Sequence, residues 1–334
     1  MRRNPLIVLI VLMLALPLSA LGQSATPAAS PAAANGDFAG LVDIGGRKLY
    51  LECHGEGSPT VILEAGYRAS GHYWTDDLRH PDSPRTMVMP AVAQFTRVCT
   101  YDRPGTVATS GEDELVSRSD AIAQPRTTPE AVAELHSLLQ AAGIPGPYVL
   151  AAHSWGGLIA RLYAATYPDE VIGLVLVDAY SERQETLMPP ERWKAILQLA
   201  QETGSTTVYP IEGYGDMETV DYYADNAVVR EAVTASPLPP MPLAVLAHGK
   251  AFDSRLPEVL ARYGIDADEY EASLRANYES LATLAPQARF FVAAESAHDI
   301  HQDQPALVTE AIHQVVAGVR NPDTWYDLAS CCAT

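Results

Sequence analysis

Basic residues are scarce. Only 22 Lys and Arg stand against 41 Asp and Glu, a formal net charge of −19 over 334 residues. No basic patch gathers along the chain, which argues against a nucleic-acid partner, and an anionic membrane surface would repel such a chain. Neither a phosphate-binding glycine loop nor a dinucleotide fingerprint occurs, so no cofactor is implied. Cysteine is limited to Cys53, Cys99, Cys331 and Cys332. The adjacent pair Cys331 and Cys332 has no histidine or second cysteine pair at ligand spacing. Two carboxylate-rich stretches, Glu112-Asp113-Glu114 and Asp266 to Glu271, lack a ligating pattern and read as solvated surface, so no metal site is expected. No internal repeat is visible.

Long apolar runs are missing as well, except at the N-terminus. Met1-Arg2-Arg3-Asn4 is followed by an apolar run from Leu6 to Leu18 and then by Ser19-Ala20-Leu21-Gly22. The run is shorter than the ~20 residues of a spanning helix, and Pro17 interrupts it. A basic start, a short apolar stretch and small residues predict a signal peptide over 1–22, removed on export, with no stable membrane insertion afterwards. The expected location is therefore secreted or periplasmic. Residues 23–37, rich in Ala, Pro and Ser, read as a flexible leader.

From residue 38 the pattern changes. Apolar runs of strand length alternate with helical periods: Thr60 to Ala65, Arg97 to Asp102, Val171 to Val177, Leu243 to Ala247 and Arg289 to Ala293 read as strands. Pro129 to Ala142, closed by Gly143, and Gln304 to Val319 read as helices. Strands alternating with helices imply a mostly parallel sheet with helices on both faces. Near its start, Leu41 to Ile44 and Lys48 to Cys53 flank Gly45-Gly46 and predict a hairpin. Between Tyr180 and Pro240 the rhythm breaks. This stretch holds helical pieces, Arg192 to Gln201 and Val220 to Ala235, and a Gly213-Tyr214-Gly215 segment. An excursion of that length is expected to be a helical lid insertion over a site, at about 180–240. The domain is expected to span 38–320, with a tail at 321–334.

The chemistry centres on Val149-Leu150-Ala151-Ala152-His153-Ser154-Trp155-Gly156-Gly157. An apolar strand ends in a serine held between small residues, and a helix begins at once. The turn is too tight for side chains at its flanks, so its apex, Ser154, is forced outward. Ala152 replaces the first glycine of G-x-S-x-G but is still small.

Together with Ile62-Leu63-Glu64-Ala65-Gly66, Thr100-Tyr101-Asp102-Arg103-Pro104-Gly105, Leu174-Val175-Leu176-Val177-Asp178 and Ser296-Ala297-His298, all in family order, this stretch resembles the α/β-hydrolase superfamily. The resemblance implies an α/β-hydrolase fold with an eight-stranded, mostly parallel sheet. It also implies a serine hydrolase that cleaves a small-molecule ester through an acyl-enzyme. Ser154 is the expected nucleophile. His298 is the expected base, with His301 as the alternative, and His153 is taken as structural. For the acid, Asp178 at the end of the sixth superfamily strand is preferred. Asp253, after the seventh, is the alternative. The backbone N–H groups of Tyr67 and Trp155 are the expected oxyanion donors, and Trp74 is expected to be core. The superfamily's strand order makes the strands of Cys53 and Cys99 neighbours, so a cross-strand disulfide is plausible, with two buried thiols as the alternative. An amidase or aminopeptidase of the same fold, a lyase, and a non-catalytic binding scaffold are the competing functions.

Overall fold

A computed structural model describes residues 36–199, 202, 217–221, 223–251 and 256–326. The expected signal peptide, the leader up to residue 35, the Gly213-Tyr214-Gly215 segment, Asp253 and the two C-terminal cysteines lie outside these residues. Ten strands are described: β1 (Phe38–Asp43), β2 (Lys48–His54), β3 (Thr60–Glu64), β4 (Val98–Tyr101), β5 (Val107–Ser110), β6 (Asp113–Val116), β7 (Tyr148–His153), β8 (Val171–Val177), β9 (Leu243–His248) and β10 (Arg289–Ala293). Eight form one sheet in the order β1-β2-β4-β3-β7-β8-β9-β10. Only β2 runs against its neighbours; from β4 to β10 the sheet is parallel. This is the α/β-hydrolase architecture.

Parallel strands covered on both faces read as continuous apolar runs, and β3, β4, β7 and β9 are buried at every residue. Successive side chains alternate between two cores. Leu150, Ala152, Leu174 and Leu176 enter one core, with the helices α1 (Thr128–Ala142) and α2 (Gly156–Thr166). Val149, Ala151, Val175 and Val177 enter the other, under the closing helix. Helix α1 has sharp ends because its sequence supplies both caps. Thr127 and Glu130 form a capping box, and Gly143 takes the left-handed conformation with φ 67°.

The excursion after β8 holds α3 (Pro190–Leu199) and α4 (Asn226–Ala235). A small third core joins Met188, Trp193 and Ile196 from it to Leu260 and Ile265 from the segment after β9. That later segment continues as α5 (Ala267–Leu281), and the closing helix α6 spans Pro305–Arg320. The chain after β9 therefore contributes to the helical layer as much as the expected insertion does. The two acidic stretches lie largely at the surface, as expected, and each takes part in local structure. Glu112-Asp113-Glu114 lies at a β5–β6 hairpin around Gly111. Asp266 caps α5 by accepting from the Glu269 N–H at 3.0 Å. The expected tail begins with a docked helix, Pro322–Tyr326, whose Trp325 is buried under the Arg289 guanidinium.

Cys53 and Cys99 face each other across the antiparallel β2–β4 ladder with Cα atoms 4.1 Å apart, and they form a disulfide. It closes a loop with a sequence separation of 46, so it restricts the unfolded chain more than the folded sheet. The C53A/C99A double variant should lose about 2–4 kcal/mol in urea unfolding. An unchanged midpoint would show that the cross-link contributes no stability.

Candidate active site

Five loops meet at the C-terminal edge of the parallel strands, where open α/β sheets bind ligands. The turn after β7 carries Ser154. Ser154 has φ 53°, a conformation few non-glycine residues adopt. The strain is held by backbone bonds: Ser154 N–H donates to the Val177 carbonyl (3.2 Å), and the Ser154 carbonyl accepts from Gly157 (2.9 Å) and Tyr180 (2.9 Å). The sequence fits this geometry at the flanking glycines. A Cβ on Gly156 would lie 2.7 Å from the Ala65 carbonyl, and one on Gly157 would lie 2.4 Å from the Ala179 Cβ. Gly66, opposite, would bring a Cβ to 3.1 Å from that of Ser154.

Asp178 follows β8 on the adjacent strand. It is the next residue after Val177, which pairs with His153, and it too is left-handed, with φ 45°. Its carboxylate is buried and lies 2.6 Å from Nδ1 of His298. Burial alone would raise its pKa. Hydrogen bonds from His248 and His298 outweigh burial and hold the carboxyl well below the usual carboxylate range. His298 itself is half-buried on the loop after β10. That loop is fixed from two sides: the Ser296 carbonyl accepts from Gly249 (3.1 Å) and Lys250 (2.9 Å), and Gln304 accepts from the Ser296 hydroxyl at 2.9 Å. With Nδ1–H aimed at a carboxylate, the other ring nitrogen, Nε2, is the basic one.

The two other histidines nearby are placed differently. His153 is buried, and its Nε2 lies 3.1 Å from the His298 carbonyl, so it braces the loop. Burial and the neighbouring His298 push its pKa down to about 4. His301, the alternative base, packs between Trp74 and His153, with tilted rings at centroid distances of 4.6 and 4.3 Å. Its ring nitrogens have no partner among the described residues, and burial drives its pKa well below the usual histidine value. It does not reach Asp178. Trp74 is fully buried, as expected of core.

The loop after β3, Ala65 to Arg68, carries the Tyr67 N–H. Its anchor is Arg103, a residue quoted in the sequence reading only for its motif. Arg103 is 1% exposed and lies between Glu64 and Glu218. Its guanidinium donates to Glu64 and twice to Glu218 (2.7 and 3.0 Å), and also to the carbonyls of Ala65 (3.0 Å) and Gly66 (2.5 Å). Five contacts match the five donors of the fork. Glu218 in turn accepts from the Arg68 N–H at 2.7 Å. The loop is thus gripped on both sides of Tyr67. The guanidinium also lies 4.8 Å over the ring of Trp155, whose Nε1 donates to Thr128.

One group among the described residues is spaced for a metal: ligand atoms of His153, Asp299 and His301 lie within 4.8 Å of one another. Asp299 is already bonded to Arg79 at 2.9 Å, and His153 to the His298 carbonyl. Asp299 and His153 are thus each already engaged through one polar atom in holding the loop.

Sequence reasoning passed over His248 and Glu271. His248 ends β9 and lies 2.8 Å from Asp178, and Glu271, read as solvated surface, lies 2.9 Å from His248. The available signal was the helical period Tyr270, Leu274, Tyr278, Leu281, which turns Glu271 toward the end of the sheet.

Comparison with known proteins bears on the family and the fold. The sequence model described as the alpha/beta hydrolase family matches residues 53–311. The protein YqjL of Bacillus subtilis (strain 168) is 26% identical over 263 residues, which cover 78% of this chain and 85% of that protein. An AB hydrolase superfamily protein of Gibberella zeae is 25% identical over 305 residues, covering 78% and 87%. Among solved structures, a thermophilic esterase from Thermogutta terrifontis aligns with a TM-score of 0.51 at 20% identity, over 84% of this chain and 99% of that one. Cfl2 from Burkholderia cenocepacia aligns with a TM-score of 0.53 at 19% identity, over 86% and 98%. These two structures share the fold. With the family match spanning most of the chain and the sheet built as described, this protein belongs to the alpha/beta hydrolase family.

Proposed function

We propose that this protein is an exported serine hydrolase that cleaves carboxylic esters, with Ser154 as nucleophile, His298 as base and Asp178 as acid. The observation that carries the reading is the 2.6 Å contact between Nδ1 of His298 and the buried Asp178 carboxylate, at the end of the strand beside that of Ser154. Serine is a weak nucleophile at its own pKa and needs an adjacent base. With its tautomer fixed by Asp178, His298 takes the Ser154 proton through Nε2 as Oγ attacks the ester carbonyl. The negative charge that develops on the carbonyl oxygen is met by the N–H groups of Tyr67 and Trp155. Protonated His298 then gives its proton to the departing alkoxide. Water attacks the acyl-enzyme by the same route in reverse, with His298 again as base. The helical segment after β8 is a lid in this reading, and its Glu218 links it to the loop that carries Tyr67.

A buried cross-strand disulfide suits an oxidising compartment, and the N-terminal basic and apolar sequence suits export to one. The intact mass of the protein recovered outside the cytoplasm should correspond to a chain starting near Gln23. A mass that retains Met1 to Gly22 contradicts removal of a signal peptide.

A fluorophosphonate probe should label the wild-type protein and leave Ser154→Ala unlabelled. On p-nitrophenyl esters Ser154→Ala should lower turnover by about 10⁴-fold or more. Absence of labelling in the folded wild-type protein would overturn the assignment and favour a binding scaffold. Labelling without ester turnover, alongside cleavage of amides, would move the substrate class and keep the nucleophile.

A further inference from the structure

Asp178 accepts from two imidazoles, and the proposed mechanism uses only one of them. The second, His248, stands at the end of β9 with its side chain 6% exposed. Its backbone N–H donates to Asp178 Oδ1 at 2.9 Å, and its ring Nδ1 lies 2.8 and 2.9 Å from the two carboxylate oxygens. On the far side of the ring, Nε2 lies 2.9 Å from Oε2 of Glu271 on α5. Ionised carboxylates only accept hydrogen bonds, so both contacts are bonds only if both ring nitrogens carry protons. A ring held in this way is an imidazolium, and the two bonds are of the strong, charge-assisted kind.

The surroundings agree. Burial disfavours charge on His248, but the bonds and fields of Asp178 and Glu271 outweigh it and raise its pKa. From α5, the Tyr278 hydroxyl lies 3.5 Å from Nδ1, and Arg275 donates to the His248 carbonyl at 3.1 Å, away from the ring. Across the shared carboxylate stands His298. The line Glu271, His248, Asp178, His298 therefore alternates carboxylate and imidazole.

We propose that His248 is a positioning residue for this site: bridged between Asp178 and Glu271, it fixes the face of the Asp178 carboxylate turned toward His298 and draws off part of its charge. The inference rests on the reading of Ser154, His298 and Asp178 as a triad. Its consequence has a sign. A cation on the far side of Asp178 weakens the field that holds a proton on His298. Removing that cation should strengthen the hold of Asp178 on protonated His298.

The test is an NMR titration of ¹⁵N-labelled imidazoles in the wild type, His248→Gln and Glu271→Gln, with the pH dependence of kcat/KM measured alongside on a p-nitrophenyl ester. His248→Gln keeps an amide N–H for Asp178 but removes the positive charge. Glu271→Gln keeps an acceptor for His248 but removes the charge that helps it stay protonated. In the wild type, His248 should carry both ring protons at neutral pH. In His248→Gln, His298 should titrate at a pH higher by about half a unit or more, with the acid limb of kcat/KM moving with it, and in Glu271→Gln His248 should lose its second ring proton at a lower pH than in the wild type. A neutral wild-type His248 at pH 7, an unmoved His298 titration in folded His248→Gln, or an unmoved His248 titration in folded Glu271→Gln would overturn the proposal. Glu271 is 30% exposed, so Glu271→Gln carries the test if His248→Gln does not fold. The titration needs no turnover. An inert Ser154 would count against the triad and leave the NMR shift readable, whereas an unmoved His298 beside a reactive Ser154 would count against His248 alone.

Discussion

The Asp178 carboxylate is the charge on which the arrangement of the site depends. It is buried at the end of β8, on a left-handed backbone, with imidazole nitrogens on two sides. A carboxylate in such a place is costly unless its oxygens are bonded. Here the bonds come from the chain that leaves β9 and from the loop after β10. Three strand ends are thereby tied to one another through one side chain. The backbone repeats the connection, since Gly249 and Lys250 donate to the carbonyl of Ser296. Gly249 is required there, because a Cβ would lie 2.6 Å from the Ala294 Cα. The His298 loop therefore takes its position from β9 as well as from its own strand.

A second buried ion cluster does the same for the other half of the site. Arg103, with Glu64 and Glu218, grips the loop that carries Tyr67. Buried ion pairs contribute little net stability compared with apolar packing, but breaking one leaves an unpaired charge inside the protein. Their effect here is geometric: the guanidinium fork fixes two carbonyls of the loop and faces the ring of Trp155. The same cation thus meets both the loop that carries Tyr67 and the indole of Trp155. Glu218 comes from the helical excursion after β8, so the placement of that excursion is coupled to the shape of the site. Of the two clusters, one holds the proposed base and acid, and the other holds the loop that carries the proposed Tyr67 donor.

Much of this was legible in the sequence because it depends on period and on steric demand. The buried strands announce themselves as continuous apolar runs, and Ser154 announces itself through the small residues at its flanks, since Gly156 and Gly157 admit no Cβ. What stayed illegible depends on where distant strands end relative to one another. Asp178 and Asp253 both follow strands in the sequence, and nothing local tells which carboxylate faces an imidazole. Glu271 sits among acidic residues beside the buried face of α5, a face that the helical period marks, but the meeting of that face with His248 depends on how α5 packs on the end of the sheet. Arg103 shows as part of a Tyr-Asp-Arg turn, but its five bonds draw on residues from Glu64 to Glu218. The β5–β6 hairpin was missed for a different reason: its strands are short and largely exposed, so they carry no strong alternation.

The central claim is that Asp178 is the carboxylate that serves His298. The most direct test compares Asp178→Asn and Asp253→Asn, both verified as folded, in ester turnover at neutral pH. An asparagine at the acid position presents the wrong hydrogen-bonding partner to the imidazole and favours the wrong tautomer. Asp178→Asn should therefore lose turnover on the order of 10⁴-fold, while Asp253→Asn should stay close to wild type. An inactive Asp253→Asn beside an active Asp178→Asn would contradict the account and move the acid to the loop after β9.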